Sequence, residues 1–406
     1  MHQGLWAMLM VGSPTAQANG QTTHLWISDT AITHIETPEL RDLVLEHRGH
    51  LRMGTMFPDG GYAVGHEYGE HAHWEPFQDQ YRDWIVAQFD DPIGVEAAPH
   101  VAFYLGLASH GMADQVFDSM YMERSKVYDG DFGWQDAAKS LDTSQDVVFA
   151  DLVGAQSAPQ TQLPDILPDL FAASGIDVAM ETLEDGQGWL EVAVDGVSGM
   201  SEVSTLVDDH LASFPWGCSH LLDPAVPGAP PFEARVVAAY WESLWADLQG
   251  TPLPLTVIGS WPSDGARLLG TEATDVESRI SVVFNRSLFQ SEVTASAFEV
   301  TSDVGAHSLV SDLFYGNDSH VVNIAPESGW AIDSDHRFQA TGLVGTDGRR
   351  MEDSFRISFT TKEPAEADHS ASPATDEAGC NCTTVRSPSG AWFGIVAGLL
   401  MLRRRR

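Results

Sequence analysis

Residues 101–127 are apolar enough to form a helix buried on most sides, yet they carry His110, Asp114 and Asp118 at four-residue intervals. On an α-helix, positions i and i+4 share a face, with a drift of about 40° per step. His110 and Asp114 can therefore hold one metal ion together, and Asp118 lies one turn further along the stripe. Their neighbours include Val101, Phe103, Leu107, Val116, Phe117 and Met120. Unpaired carboxylates are costly in such surroundings, and a bound cation offsets that cost. Spacing alone proves little, because His-x3-Asp on an exposed helix is more often a solvated pair.

The wider sequence adds potential ligands. Thr23-His24 lies near the start, Phe57-Pro58-Asp59 follows, and His66, His71 and His73 fall within eight residues. The bland reading of that last run is a polar loop with incidental histidines. Charge narrows the partners. Lys and Arg number 21 against 58 Asp and Glu, a net charge of -37. Non-specific or sequence-specific nucleic-acid binding needs a basic footprint that this chain lacks. Adsorption to anionic lipid by charge alone is disfavoured for the same reason. The chain has 406 residues, 43% of them hydrophobic, enough for two packed domains. Three cysteines, Cys218, Cys380 and Cys382, make no disulfide framework.

Both ends read as export signals. A short apolar run precedes Ala16-Gln17-Ala18, an A-x-A pattern that predicts a signal peptide over 1–18 with cleavage after Ala18. At the other end an acidic Ser/Ala-rich linker (363–379) precedes a sorting segment (380–406). That segment contains Gly379-Cys380 at its border, an apolar helix-forming run at 391–402 and four terminal arginines. The run is shorter than the roughly 20 residues that span a bilayer comfortably. This tail resembles the MYXO-CTERM sorting signals of myxobacterial surface proteins. The resemblance implies a C-terminal sorting machinery as partner, processing at Cys380, and retention at the cell surface or outer membrane.

Between these ends, residues 19–250 predict a helical domain. Helices are expected from Pro38, over 77–89, over 101–127 and from Pro230-Pro231-Phe232-Glu233, where proline suits a first turn. The stretch Trp189-Leu190-Glu191-Val192-Ala193-Val194 reads as a short hairpin or another helix.

In order and spacing, Thr23-His24, Phe57-Pro58-Asp59, Ala72-His73-Trp74-Glu75-Pro76-Phe77 and Gly106-Leu107-Ala108-Ser109-His110-Gly111-Met112-Ala113-Asp114 resemble the zinc-dependent phospholipase C family. The branch most alike contains the catalytic domain of glycosylphosphatidylinositol-specific phospholipase D, and S1/P1 nucleases are more distant relatives. The resemblance implies an all-α phospholipase C/P1 nuclease-like domain in a multidomain chain. It also implies two or three zinc ions. Asp59, His73, His110 and Asp114 would hold one zinc, and Asp114 would bridge to a second bound by His24. Asp59 would also orient or deprotonate the attacking water, as the catalytic carboxylate.

The family's third zinc uses histidines that are absent here. Asp118 with Asp142 and Asp146 gives the matching spacing, while Glu123, Asp129 and Asp131 compete. An oxygen-rich third site would suit another divalent cation. Clustered dications neutralise phosphate oxygens and acidify bound water. The implied substrate is a phospholipid or other phosphodiester, cleaved in C-type or D-type fashion. A nuclease and a non-catalytic surface protein with a structural metal site are the alternatives.

From residue 251 to 362 the pattern becomes strand-like. Strands are expected at 280–285, 297–301, 321–324, 337–341 and 355–361. Val-x-Phe-Asn, then Pro326 to Trp330, then Asp347-Gly348 and Phe355-x-x-x-Phe359-Thr360-Thr361 resemble the bacterial Ig-like (SbsA-type) domain, implying an all-β sandwich that spaces or positions the helical domain.

Overall fold

A computed structural model describes residues 19–130, 140–316 and 319–363. The expected signal peptide, Asp131 and the Cys380 tail lie outside the described residues. Among the described residues no helix is long and apolar enough to cross a membrane.

Thirteen α-helices come first among the described residues. They are α1 (Gln21–Ala31), α2 (Pro38–Glu46), α3 (Arg48–Val64), α4 (Tyr68–Ala72), α5 (Glu75–Gln88), α6 (Ala98–Val116), α7 (Glu123–Tyr128), α8 (Leu141–Val153), α9 (Leu167–Ala173), α10 (Met180–Ser201), α11 (Ser204–Ser213), α12 (Pro215–Ser219) and α13 (Pro230–Leu248). The strands follow: β1 (Val257–Trp261), β2 (Ala266–Arg267), β3 (Ile280–Leu288), β4 (Phe298–Ser302), β5 (Gly305–Ala306), β6 (Leu309–Leu313), β7 (Ser319–Pro326), β8 (Asp335–Ala340) and β9 (Phe355–Thr360).

The centre of the helical part is the crossing of α3 and α6. Two glycines allow the backbones to touch. A Cβ on Gly54 would sit 2.0 Å from the Phe103 carbonyl oxygen, and one on Gly106 would sit 2.0 Å from that of Leu51. The Phe57-Pro58-Asp59 segment, given no secondary structure from sequence, lies inside α3, with Pro58 within the helix. Gly65 ends α3 at φ 69°, the left-handed conformation that glycine adopts without steric cost.

The expected single helix over 101–127 is three segments in line. After α6 the ladder widens into a π turn at Phe117–Met122 before α7. The 189–194 stretch is helical, within α10. Leu183, Leu190, Val194 and Val197 are buried along one face, while Trp189 and Val192 are exposed. Those two exposed apolar residues produce the false strand-like alternation.

The strands form two sheets, β1-β3-β7-β6 and β2-β9-β8-β4-β5. All pairings are antiparallel except β2 with β9. In register, Val282 pairs with Val322 and Phe338 with Ile357. Side chains alternate across a strand. Ile280, Val282 and Phe284 accordingly enter the core shared with the second sheet. Val283 and Val321, pointing the other way, enter the helical core. β3 is therefore buried on both faces, and the described residues pack as one compact unit. Arg286 of β3 reaches Glu75 Oε1 at 3.2 Å and Asp79 Oδ2 at 2.6 Å on α5.

Candidate metal centre

Four helical elements converge on the expected ligands. His24 comes from α1, Asp59 from α3, His73 from the residue that ends α4, and His110 and Asp114 from α6. The start of α1 is fixed by Asp146. Its Oδ1 accepts from Thr22 Oγ1 at 2.5 Å, Thr23 N at 2.8 Å and Thr23 Oγ1 at 2.8 Å, and its Oδ2 accepts from Thr22 N at 3.1 Å. A carboxylate at a helix N-terminus satisfies free backbone N–H groups and complements the helix dipole. Gly20 leaves room for it, since a Cβ there would lie 2.3 Å from Asp146 Cγ. His73 is brought against α6 by a similar close approach. A Cβ on Gly111 would lie 2.1 Å from the His73 carbonyl oxygen.

The five side chains form two trios that share His110. In one, His24, His110 and Asp114 come together; in the other, Asp59, His73 and His110. His24 Nε2 lies 2.9 Å from Asp114 Oδ1. Asp114 Oδ2 lies 3.3 Å from His110 Nε2 and 3.5 Å from His73 Nε2. Asp59 Oδ1 lies 3.4 Å from His73 Nε2 and 3.5 Å from His110 Nε2. The rings of His24 and His110 stack with centroids 3.9 Å apart.

Tautomers follow from the backbone. His73 Nδ1 faces the Gly69 carbonyl at 2.6 Å, and His110 Nδ1 faces the Thr55 carbonyl at 2.7 Å. A carbonyl only accepts, so both Nδ1 atoms carry protons and donate. In the neutral rings both Nε2 atoms then present lone pairs, only 3.1 Å apart. This is the arrangement that metal-binding histidines adopt, with the far nitrogen held by a carbonyl. His24 Nε2 and both Asp114 oxygens are buried without a hydrogen bond. Lone pairs and anionic oxygens that converge without donors fit a cation.

Without a cation, the carboxylates compete with the lone-pair arrangement by drawing a proton onto the pair. Burial pushes the Asp59 carboxyl up, but the charges and hydrogen bonds of His110 and His73 hold it well below the usual range. Burial and the neighbouring His24 push His110 down. Burial also pushes His73 down, but the Asp59 hydrogen bond and the charges of Asp59 and Asp114 raise it overall. Two rings this close cannot both hold a proton at Nε2.

His24, His73, His110 and Asp114 are at most 3% exposed, and Asp59 is the member that reaches solvent, with a quarter of its side chain exposed. Gln21 donates to Asp59 Oδ2. Around this opening, Tyr62 packs on His73 with centroids 5.1 Å apart, and both Tyr62 Oη and Trp74 Nε1 donate to Glu70.

Of the residues expected at a third site, Asp118 and Asp142 stay near each other, while the other described ones are engaged elsewhere. Asp146 serves the start of α1, with both oxygens occupied. Glu123 pairs with Lys126 at 3.0 Å and Arg279 at 3.2 Å. Asp129 accepts from Trp216 N and Gly217 N at the start of α12. Asp118 is buried on the π turn, close enough to Asp114 and Asp142 to feel both charges, and burial first and then those charges push it well up. His71 is exposed and His66 bonds the Tyr68 N–H, so neither joins the centre.

Glu233 was missed. It is fully buried on α13, accepts from Asn19 at 2.6 Å and is raised by burial and by Asp114 and Asp118. A lone acid beside Phe232 and Val237 was the available signal. The carbonyls of Gly69 and Thr55 left none, because backbone acceptors carry no sequence signature.

No family model matches the chain. Over 131 residues it is 29% identical to the phosphatidylinositol-glycan-specific phospholipase D of Rattus norvegicus, covering 30% of this chain and 16% of that protein. With the Mus musculus protein of the same description it is 26% identical over 159 residues, covering 36% and 19%. The chain thus spans less than a fifth of the length of these relatives. Among solved structures, domains 1–6 of surface layer protein SbsC align at 9% identity over 81% of this chain and 46% of that one, with a TM-score of 0.23, too low to carry an argument. Roughly a third of this chain is therefore similar to part of a phospholipid-related hydrolase.

Proposed function

We propose that this protein is a divalent-metal-dependent phosphodiester hydrolase acting on phospholipid or glycosylphosphatidylinositol head groups at the bacterial cell surface. The observation that carries the reading is the facing pair of His73 and His110. Their Nε2 lone pairs lie 3.1 Å apart, both Nδ1 atoms are held by carbonyls, and Asp59 and Asp114 carboxylates flank them. Imidazole nitrogens with carboxylate oxygens are the donor set of zinc. Asp59, His73, His110 and Asp114 would hold one ion, and His24 with Asp114 a second. Such ions supply Lewis acidity toward phosphate oxygens and an acidified water.

The chain's own residues do the rest. Asp59 stays ionised and reaches solvent, so its carboxylate can accept a hydrogen bond from the attacking water and orient it. Gln21 holds the other Asp59 oxygen. The Gly69 and Thr55 carbonyls keep His73 and His110 in the tautomer that leaves Nε2 unprotonated. Tyr62 and Trp74, tied together through Glu70, offer an aromatic rim to the apolar part of a substrate.

The lipid half of the reading rests on partial similarity to phospholipase D. A net charge of -37 disfavours a nuclease on the same scaffold. The β region is read as an Ig-like sandwich and the termini as export and surface-sorting signals. The test is metal analysis of the purified protein, followed by assay on phosphatidylcholine, a glycosylphosphatidylinositol-anchored reporter and single-stranded DNA, with His110→Ala as control. Diacylglycerol against phosphatidic acid separates C-type from D-type cleavage. Absence of bound metal, or turnover indifferent to His110→Ala, overturns the proposal.

A further inference from the structure

The β region reaches residues bordering the candidate metal centre. Tyr315 follows β6, is 39% exposed, and donates its phenol to Oδ2 of Asp118, a residue only 2% exposed. Its ring meets Trp74 edge-on, with centroids 5.4 Å apart. Trp74 follows the ligand His73 directly, so one aromatic contact joins the β region to the histidine side of the centre.

Asp118 has a second oxygen, Oδ1, that is buried and makes no hydrogen bond among the described residues. It sits one turn beyond Asp114, whose oxygens are likewise buried without hydrogen bonds. The π turn that starts at Phe117 alters the local spacing there, and such turns are frequent at functional sites. A phenol on Oδ2 fixes the carboxylate plane and leaves Oδ1 as the free acceptor.

The same short piece of helix fixes where Tyr315 stands. Gln115 Oε1, adjacent in sequence to Asp114, accepts from His320 N at 2.7 Å and Ser319 Oγ at 3.2 Å at the start of β7. Leu313 N, at the end of β6, donates to Gln290 Oε1 at 3.3 Å. The strands on both sides of Tyr315 are thereby anchored, one of them directly to the ligand-bearing helix.

We propose that Tyr315 is a positioning residue of the metal centre: its hydroxyl orients Asp118 so that Oδ1 serves as an additional oxygen ligand for a divalent ion beside Asp114. The β region is then part of the site rather than a spacer. This rests on the reading of the histidine–aspartate centre as metal-binding.

The test uses the full chain and zinc alone. Zinc affinity is measured by competition with a chromophoric chelator for the wild type, Tyr315→Phe, Asp118→Asn and the double variant, beside thermal midpoints. Tyr315→Phe removes one hydroxyl from a partly exposed ring. The expected result is a weakest-site dissociation constant raised about 10–100-fold, the usual cost of losing a partner that orients a ligand. The midpoint stays within error of wild type. In the Asp118→Asn background the same change has no further effect, because the two act as one unit. Wild-type affinity in Tyr315→Phe, or additive losses in the double variant, overturns the inference while leaving the metal-binding reading intact. A wild type that binds no zinc overturns both.

Discussion

His73 and His110 point their Nε2 atoms at each other across 3.1 Å, while two backbone carbonyls hold their Nδ1 protons from behind. Neither histidine has a proton to offer the other in that tautomer. A cation in the space that the lone pairs face would satisfy both nitrogens at once.

His73→Ala removes one of these nitrogens. Metal analysis should show at least one zinc equivalent lost, and phosphodiester hydrolysis should fall by more than the ~10–100-fold typical of losing an outer partner. Unchanged zinc content would place the metal elsewhere.

Gly111 decides how near His73 comes to the helix bearing His110. A methyl group there would meet the His73 carbonyl oxygen at 2.1 Å, so the backbone must move. Gly111→Ala should weaken zinc binding by about 10–100-fold without touching a ligand. Chelator competition reads the change directly, and full affinity would show that the approach is not needed.

Arg286 is 1% exposed, bridges the β region to Glu75 and Asp79 on α5, and also pairs with Asp347 of the β region. Replacing it with methionine takes a cation from buried Glu75, which keeps His320 at 3.3 Å, while Asp79 and Asp347 retain Arg82 and Arg349. The expected cost is about 2–4 kcal/mol, somewhat below the range for leaving a buried charge uncompensated, because each carboxylate keeps a second partner. Urea unfolding followed by tryptophan fluorescence measures it. A loss well under 1 kcal/mol would mean that the carboxylates find other partners.

His336 is buried in the β core, its ring stacked on Phe359 with centroids 4.7 Å apart. Burial holds it below its ordinary value. The folded state thus keeps His336 neutral at a pH where the unfolded chain takes up a proton. Its stabilising contribution is complete above roughly pH 6.5 and declines as pH falls below that, toward the depressed folded value. His336→Leu should flatten this part of the pH profile of the melting midpoint. An identical slope in the variant would assign the pH dependence to other groups.

Cys218 is 1% exposed, and burial pushes its thiol up to about 12. The thiolate is the reactive form. Alkylation at neutral pH followed by peptide mapping should leave Cys218 unmodified in the folded protein and label it in urea. Rapid labelling under native conditions would show that this part of the helical core opens.

Only one pair of the clustered residues was legible from its own spacing. His110 and Asp114 share a face at i and i+4, and apolar neighbours made solvated carboxylates improbable. The third site was not legible. Asp142 and Asp146 matched a spacing, but spacing along a helix says nothing about what approaches it. Asp146 meets the start of α1, over 120 residues earlier, and is fully engaged there. Tyr315 was invisible for the same reason, being 197 residues from Asp118.

By itself the sequence determined the order of helices and strands, because the apolar period of each segment is set by local geometry, 3.6 for a helix and 2 for a strand. It also determined the donor types gathered at His24, Asp59, His73, His110 and Asp114. Only the tertiary structure decided which carboxylates stay with those donors, which cap helices, and that the β region packs against the helix bearing His110 and Asp114. Those outcomes depend on contacts between residues far apart in the chain, where glycine-permitted backbone approaches and buried charge pairs, not local periodicity, set the distances.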